Sequence, residues 1–193
     1  MTLDVPYYSQ KLDVQRDEWK KRACGITALK MVLEYHARRS GATIPSIDDL
    51  INEGVAIGGF VKEGWVHDAL VSIAHNHGFS GYREEFRSKA VDIVKNVVGM
   101  NFYEGELAQK GVEKIIGTLA NGTPVIVSVL GRFRGDGEYH MIVLTGFKGR
   151  QEAVEGFYYH EPSEDIRKQG THVFVPMEVF ATYWRKMAIF IGG

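Results

Sequence analysis

At Asn121-Gly122 the apolar pattern of this 193-residue sequence changes its period. Before that point hydrophobic residues recur at three- and four-residue steps, the spacing of a helix face. After it they come as short β-branched and aromatic runs separated by turns. From Cys24 to about Arg39, Ile26, Leu29, Val32 and Leu33 fall on such steps and predict an amphipathic helix with its Ile26–Leu29–Leu33 line against a core. Ser46, with Asp49 three residues on, reads as the N-cap of a short helix through Asn52. "EGWVHDALVSIAHNHG" predicts a helix over about 64–77 closed by Gly78, and "ELAQKGVEKIIGTLANG" predicts another that stops at Asn121-Gly122. The stretch 79–105 has a weaker period, with a short strand expected around Tyr82 and a half-buried helix near 89–98. Beyond 122, "TPVIVSVL", "EYHMIVLTGF", "VEGFYYHEP", "THVFVP" and "MAIFI" read as strands and "MEVFATYW" as a short helix. The expected class is α+β, with helices on one side of a mainly antiparallel sheet. It is expected to form one domain over 1–193, helical over about 1–122 and β-rich over about 123–193.

Composition removes several function classes. The formal net charge is −1 with basic residues spread along the chain, so no electrostatic case exists for nucleic acid or an anionic membrane surface. No apolar run approaches the roughly 18–20 residues of a membrane-spanning helix, and "MTLDVPYYSQ" lacks the features of a signal peptide. A single cysteine forms no internal disulfide, which suits a reducing compartment, and a cytoplasmic location is the expectation.

That cysteine is also the best candidate for chemistry. A thiol is a nucleophile as thiolate, so its free pKa of about 8.5 must be lowered, and the first turn of a helix does part of this through its unpaired N–H groups. Cys24 sits at such a helix start, followed by Gly25, which is expected to let another chain or a substrate approach the thiol closely. Burial as an inert packing residue is the competing reading. A catalytic thiol needs a base, and the base an orienting partner. Of seven histidines, His36 is about three turns along the Cys24 helix. His67, His75 and His77 lie on or after one amphipathic helix, solvated or at the edge of the core. "HNH" at 75–77 is at most half a metal site. His172 opens a strand in a turn-rich region. His140 stands after a Gly-rich turn at the start of an anchored strand, a rigid position for a base. Glu161, at the end of the next strand and before Pro162, is placed to orient its ring or else to be a solvated turn carboxylate.

"DVPYYSQ", "ACGITALKMVLEYH", "GTPVIVSVL", "EYHMIVLTGF", "FYYHEPS" and "VPMEVFATYW", in that order over about residues 4–190, resemble the papain-like cysteine peptidases related to the bacteriocin-leader (double-glycine) processing peptidases. The resemblance implies a papain-like fold, with the nucleophile at a helix start packed on the sheet. It implies thiol-dependent hydrolysis of a peptide bond through an acyl-enzyme, without a cofactor or metal. It assigns the nucleophile to Cys24, the base to His140, the orienting acid to Glu161 and an oxyanion-hole amide to Gln10, 14 positions before the cysteine. The family's Asp-Pro is here Glu161-Pro162, one methylene longer, with His160 an alternative neighbour of the site. Ile26 stands where many relatives have proline. The chain carries no transporter or ATPase segment, so a stand-alone form acting on a peptide or protein is expected. A silent peptidase-like domain that binds peptides is the alternative, and a metal-dependent protein using His75 and His77 a weaker one. The C-terminal "FIGG" echoes a double-glycine recognition sequence, or is simply the end after the last strand. Loops 54–64, 98–106 and 131–138 are the expected borders of a substrate cleft, while substrate and oligomeric state are not legible.

Overall fold

The computed structural model describes residues 1–87, 104–134 and 137–192, so the helix expected near 89–98 lies outside the described residues. α1 (Cys24–Ser40) carries its apolar line inward, with Ile26, Leu29 and Leu33 fully buried. α2 (Ile47–Ala56) begins at Ser46, whose Oγ accepts from the Asp49 N–H at 3.1 Å. It runs a turn past Asn52 because Gly54 continues the buried face set by Ile47, Leu50 and Ile51. The next helix does not start at 64. β1 (Phe60–Val61) and β2 (Gly64–Trp65) first make a small hairpin, and Gly64 takes φ 117°, a conformation open to glycine. α3 (His67–Asn76) and β3 (Ser80–Glu85) follow. After them come α4 (Glu104–Ala120), β4 (Val125–Leu130), β5 (Tyr139–Arg150), β6 (Ala153–His160), the short α5 (Arg167–Gly170), β7 (Val173–Pro176), α6 (Met177–Tyr183) and β8 (Trp184–Gly192).

One six-stranded sheet runs in the order β3-β8-β4-β5-β6-β7 with every neighbouring pair antiparallel. Helices cover both faces, not the single face expected. Ile26, Leu29 and Leu33 of α1 pack in one core with Ile126, Val143 and Ile189. Ile115 and Leu119 of α4 and Phe180 of α6 pack in another with Val125, Val127, Ile142 and Leu144. The cause is visible in β4, where "VIVSVL" is apolar at both parities and therefore needs cover on both sides. Each large side chain fully buried this way contributes about 1.5–3 kcal/mol.

The first ten residues form no helix and only one isolated bridge, yet they are tied to the end of the sheet where β5 and β6 meet the loop at 161–164. Leu3 N–H donates to Thr145 O (2.7 Å), Tyr7 Oη to Glu161 O (2.9 Å) and Gln10 N–H to Pro162 O (2.7 Å). These bonds bring Gln10 to the site.

Candidate active site

Cys24 is the first residue of α1, and Ala23 before it supplies no side-chain cap, so first-turn N–H groups remain available to a negative charge. His140 is the second residue of β5, held by β4 on one side through the Val129 pairing. Cys24, His140 and Gln10 line one cleft of about 1010 Å³. Hairpin residues Phe60–Trp65 and loop residues Gly131, Arg132, Gly137 and Glu138 border it, as expected for two of the three loops. The third loop, 98–106, lies largely outside the described residues.

The His140 ring bridges thiol and carboxylate. Its Nε2 lies 2.5 Å from Glu161 Oε1, which leaves Nδ1 as the nitrogen open to Cys24. Burial pulls His140 toward the neutral form, but the charges of Glu161 and Cys24, with a hydrogen bond to each, raise its pKa from 6.5 to about 10. Burial pushes the Cys24 thiol up. The His140 charge, the bond to its ring and the Met141 N–H outweigh that, and the thiol ends below its ordinary value. Glu161 is buried as well, which raises its pKa, yet His140 and the two donors of Ser163 hold it below the usual carboxylate range. All three directions favour a thiolate–imidazolium–carboxylate line.

Glu161 is not a solvated turn residue: it is 4 % exposed, and its Oε1 also accepts from Ser163 N–H (2.9 Å) and Oγ (2.7 Å). Gln10 is equally buried, and its Oε1 has no hydrogen-bond partner among the described residues. Its amide is thus fixed through the main chain and left unpaired beside the thiol, an arrangement that a purely structural glutamine avoids. At Gly25 the close approach is made by the protein's own side chains. A Cβ there would stand 3.0 Å from Met141 Sδ and 3.1 Å from Trp65 Cβ, so the glycine lets α1 pack closely on the sheet and the hairpin.

The other histidines separate from the site. His160 is fully buried and turned away: its Nε2 faces Val5 O at 2.9 Å and its Nδ1 accepts from the His172 N–H at 3.1 Å. Burial holds its pKa down at about 4. His36 is buried on α1 against Tyr35 and Phe79. His75 meets the Gly81 backbone and His77 meets Glu53, so the two do not converge on a common centre. His172 Nδ1 contacts Thr145 Oγ1 at 3.0 Å. His67, expected to be solvated or at the core edge, borders the cleft, where burial and then Arg185 and Arg83 lower its pKa to about 4. Two site residues escaped the sequence reading. Ser163, two after Glu161, had a local signal, because serine hydroxyls bond to groups a residue or two away. Arg132, which donates to Ser163 Oγ at 3.3 Å from a backbone at φ 52°, had none.

The family model described as "Peptidase_C39 like family" matches residues 2–189. Among solved structures, the chain is similar to a putative C39-like peptidase from Bacillus anthracis at TM-score 0.63 and 16 % identity, covering 100 % of this chain and 97 % of that one. A double glycine motif protease from an AMS/PCAT transporter, in complex with the leader peptide, is similar at TM-score 0.57 and 18 % identity, covering 100 % and 94 %. The peptidase domain of Streptococcus ComA, a bi-functional ABC transporter, is similar at TM-score 0.54 and 19 % identity, covering 89 % and 92 %. No curated protein matches in sequence. Among the described residues no helix is long and apolar enough to cross a membrane.

Proposed function

The chain belongs to the Peptidase_C39 like family, and on that premise we propose that it is a cysteine peptidase that cleaves a peptide bond with Cys24, His140, Glu161 and Gln10. The observation that carries this reading is the half-buried Cys24–His140 pair backed by the buried Glu161, in which the base raised to about 10 stands beside a thiol lowered from its ordinary value.

The thiolate of Cys24 attacks the scissile carbonyl carbon, and the C=O electron pair moves to oxygen. The Cys24 N–H at the helix start and the Gln10 amide donate to that oxyanion. Collapse expels the amine, which takes the Nδ1 proton of His140, and a thioester remains. Water then gives a proton to the neutral His140 as it attacks the thioester; collapse releases the carboxylic acid and restores the thiolate beside imidazolium. Glu161 fixes the ring and stabilises its charged form at both stages, and Ser163 in turn fixes Glu161. The substrate is a peptide or protein, and the lone thiol suits the reducing cytoplasm.

Alkylation by iodoacetamide across pH tests the site, comparing the native chain with Cys24→Ala and His140→Ala. The expected result is one reactive thiol with an apparent pKa well below about 8.5, lost in the first variant and shifted upward in the second. An unreactive Cys24, or a profile indifferent to His140→Ala, overturns the mechanism.

A further inference from the structure

The cleft beside Cys24 carries a charge that the whole chain does not. The net charge of the protein is −1, yet among the described residues seven basic side chains line this one cleft against two acidic ones, Glu63 and Glu138, apart from the Cys24–His140 pair. Three of the seven are engaged. Lys20 pairs with Asp17 at 2.6 Å, Arg132 lies 3.7 Å from Glu164, and the Arg185 guanidinium stacks 4.8 Å from the Tyr139 ring centroid. The other four, Lys11, Lys21, Arg22 and Lys62, are exposed and have no carboxylate within ion-pair distance among the described residues. Lys11 comes from the segment after Gln10, Lys21 and Arg22 from the segment leading into Cys24, and Lys62 from the β1–β2 hairpin that packs on that segment through Trp65. Spread evenly, such side chains would mean only solubility. Gathered around one concave site whose floor also presents a helix N-terminus, they focus a positive potential on whatever enters.

Resting on the peptidase reading above, we infer that the substrate is an acidic peptide, with Asp or Glu side chains within a few residues of the scissile bond that pair with Lys21, Arg22 and Lys62. Phe60, on the same hairpin as Lys62, adds a partly exposed apolar side chain to the cleft. Rim charges of this kind act mainly on capture, so selectivity resides in kcat/KM and weakens with salt.

The test uses quenched fluorescent peptides of one length and one central sequence, flanked by Glu, Ala or Lys, with the full chain. Glu-flanked peptides are expected to show kcat/KM about tenfold or more above Lys-flanked ones at low salt, since two or three exposed pairs at about 0.2–1 kcal/mol each give that factor. The preference is expected to shrink toward unity by about 0.5 M NaCl. Lys21→Glu with Lys62→Glu is expected to reverse it, while the circular dichroism spectrum and thermal midpoint stay close to those of the native chain. Equal rates for the three peptide sets, or a preference untouched by the charge reversal, overturn the proposal. Binding of the same peptides to Cys24→Ala by fluorescence anisotropy separates the two layers. Charge-selective binding without cleavage by the native chain leaves the acidic-ligand inference standing and removes the peptidase reading. Cleavage without charge selectivity does the opposite. A single-stranded oligonucleotide that competes for the cleft more tightly than the acidic peptide also overturns the proposal.

Discussion

Replacing Glu161 by Gln keeps the shape of the side chain and removes its charge. In the native site Glu161 Oε1 faces His140 Nε2 at 2.5 Å and accepts from both donors of Ser163, in a position that water does not reach. A hydrogen bond to a charged partner is worth about 1.5–3 kcal/mol net. The substitution should withdraw about that much from the imidazolium form, a ten- to hundredfold loss at about 1.4 kcal/mol per decade. The sign follows from the shifts. His140 titrates at about 10, so the thiolate–imidazolium pair persists from below neutrality until that proton is lost. Without the carboxylate the His140 pKa falls toward 6.5 and the pair's window closes from its alkaline side. The weaker positive charge on His140 also lets the thiol pKa rise, an effect partly offset because the Glu161 charge that is lost itself pushes the thiol up. Initial rates of iodoacetamide alkylation between pH 5 and 10, followed by intact mass, read this directly because the chain has one cysteine. At pH 7, Glu161→Gln should react about ten- to a hundredfold more slowly. Glu161→Asp, which keeps the charge but is shorter by one C–C bond, about 1.5 Å, should fall between the two. A Gln variant that folds and gives the native profile would refute the role assigned to Glu161.

Gln10→Ala should lower kcat by about 10²–10³ as an oxyanion donor is lost, with Cys24 alkylation unchanged; a parallel fall in both would mean that Gln10 positions the thiol instead. Ser163→Ala removes the 2.7 Å bond to Glu161 Oε1 but keeps the main-chain donor, so alkylation at pH 7 should slow about fivefold, the equivalent of about 1 kcal/mol, and recover in Ser163→Thr. His160 titrates at about 4 when folded and near 6.5 when unfolded. The unfolded chain therefore binds the extra proton between those values, and stability is full above 6.5 and falls as pH drops through that window, by up to roughly 3 kcal/mol. Thermal melts from pH 7 to 4.5 should show the fall, smaller in His160→Gln, and an unchanged midpoint over that range would contradict the buried neutral assignment.

Much of the fold was legible because its strongest signals are local. The α1 stripe, the Ser46 cap and the five late strands each follow from residue spacing over a few turns or pleats, and each stands where expected. The misreadings concern tertiary context. The helical period in "EGWVHDALVSIAHN" begins at Trp65, but Trp65 is drawn into a hairpin by pairing with Phe60 and by its Nε1 bond to Arg22 O at 2.7 Å. A helical half before a strand-rich half suggests single-face cover, whereas the apolar residues at both parities of "VIVSVL" demand it on both faces. The site divides the same way. Cys24 and His140 announce themselves through element starts, whereas the contribution of Arg132 depends on a turn touching a loop 31 residues away, and no short-range pattern encodes that contact.

The use of Glu in place of Asp has its own geometric logic. In the β5–β6 ladder Val143 lies opposite His160. β6 ends there, and Glu161, the first residue beyond it, reaches His140 from the turn over 161–163. His160 then has the opposite parity, which accounts for its turn toward Val5 while its neighbour turns toward His140. Ser163, in the same turn, clamps the carboxylate through its N–H and its Oγ. The turn therefore makes Glu161 and Ser163 a matched pair. Their coupling is accordingly expected in double-mutant form: Ser163→Ala should cost less alkylation rate in the Glu161→Gln background than in the native one, because a neutral amide has less need of the second donor.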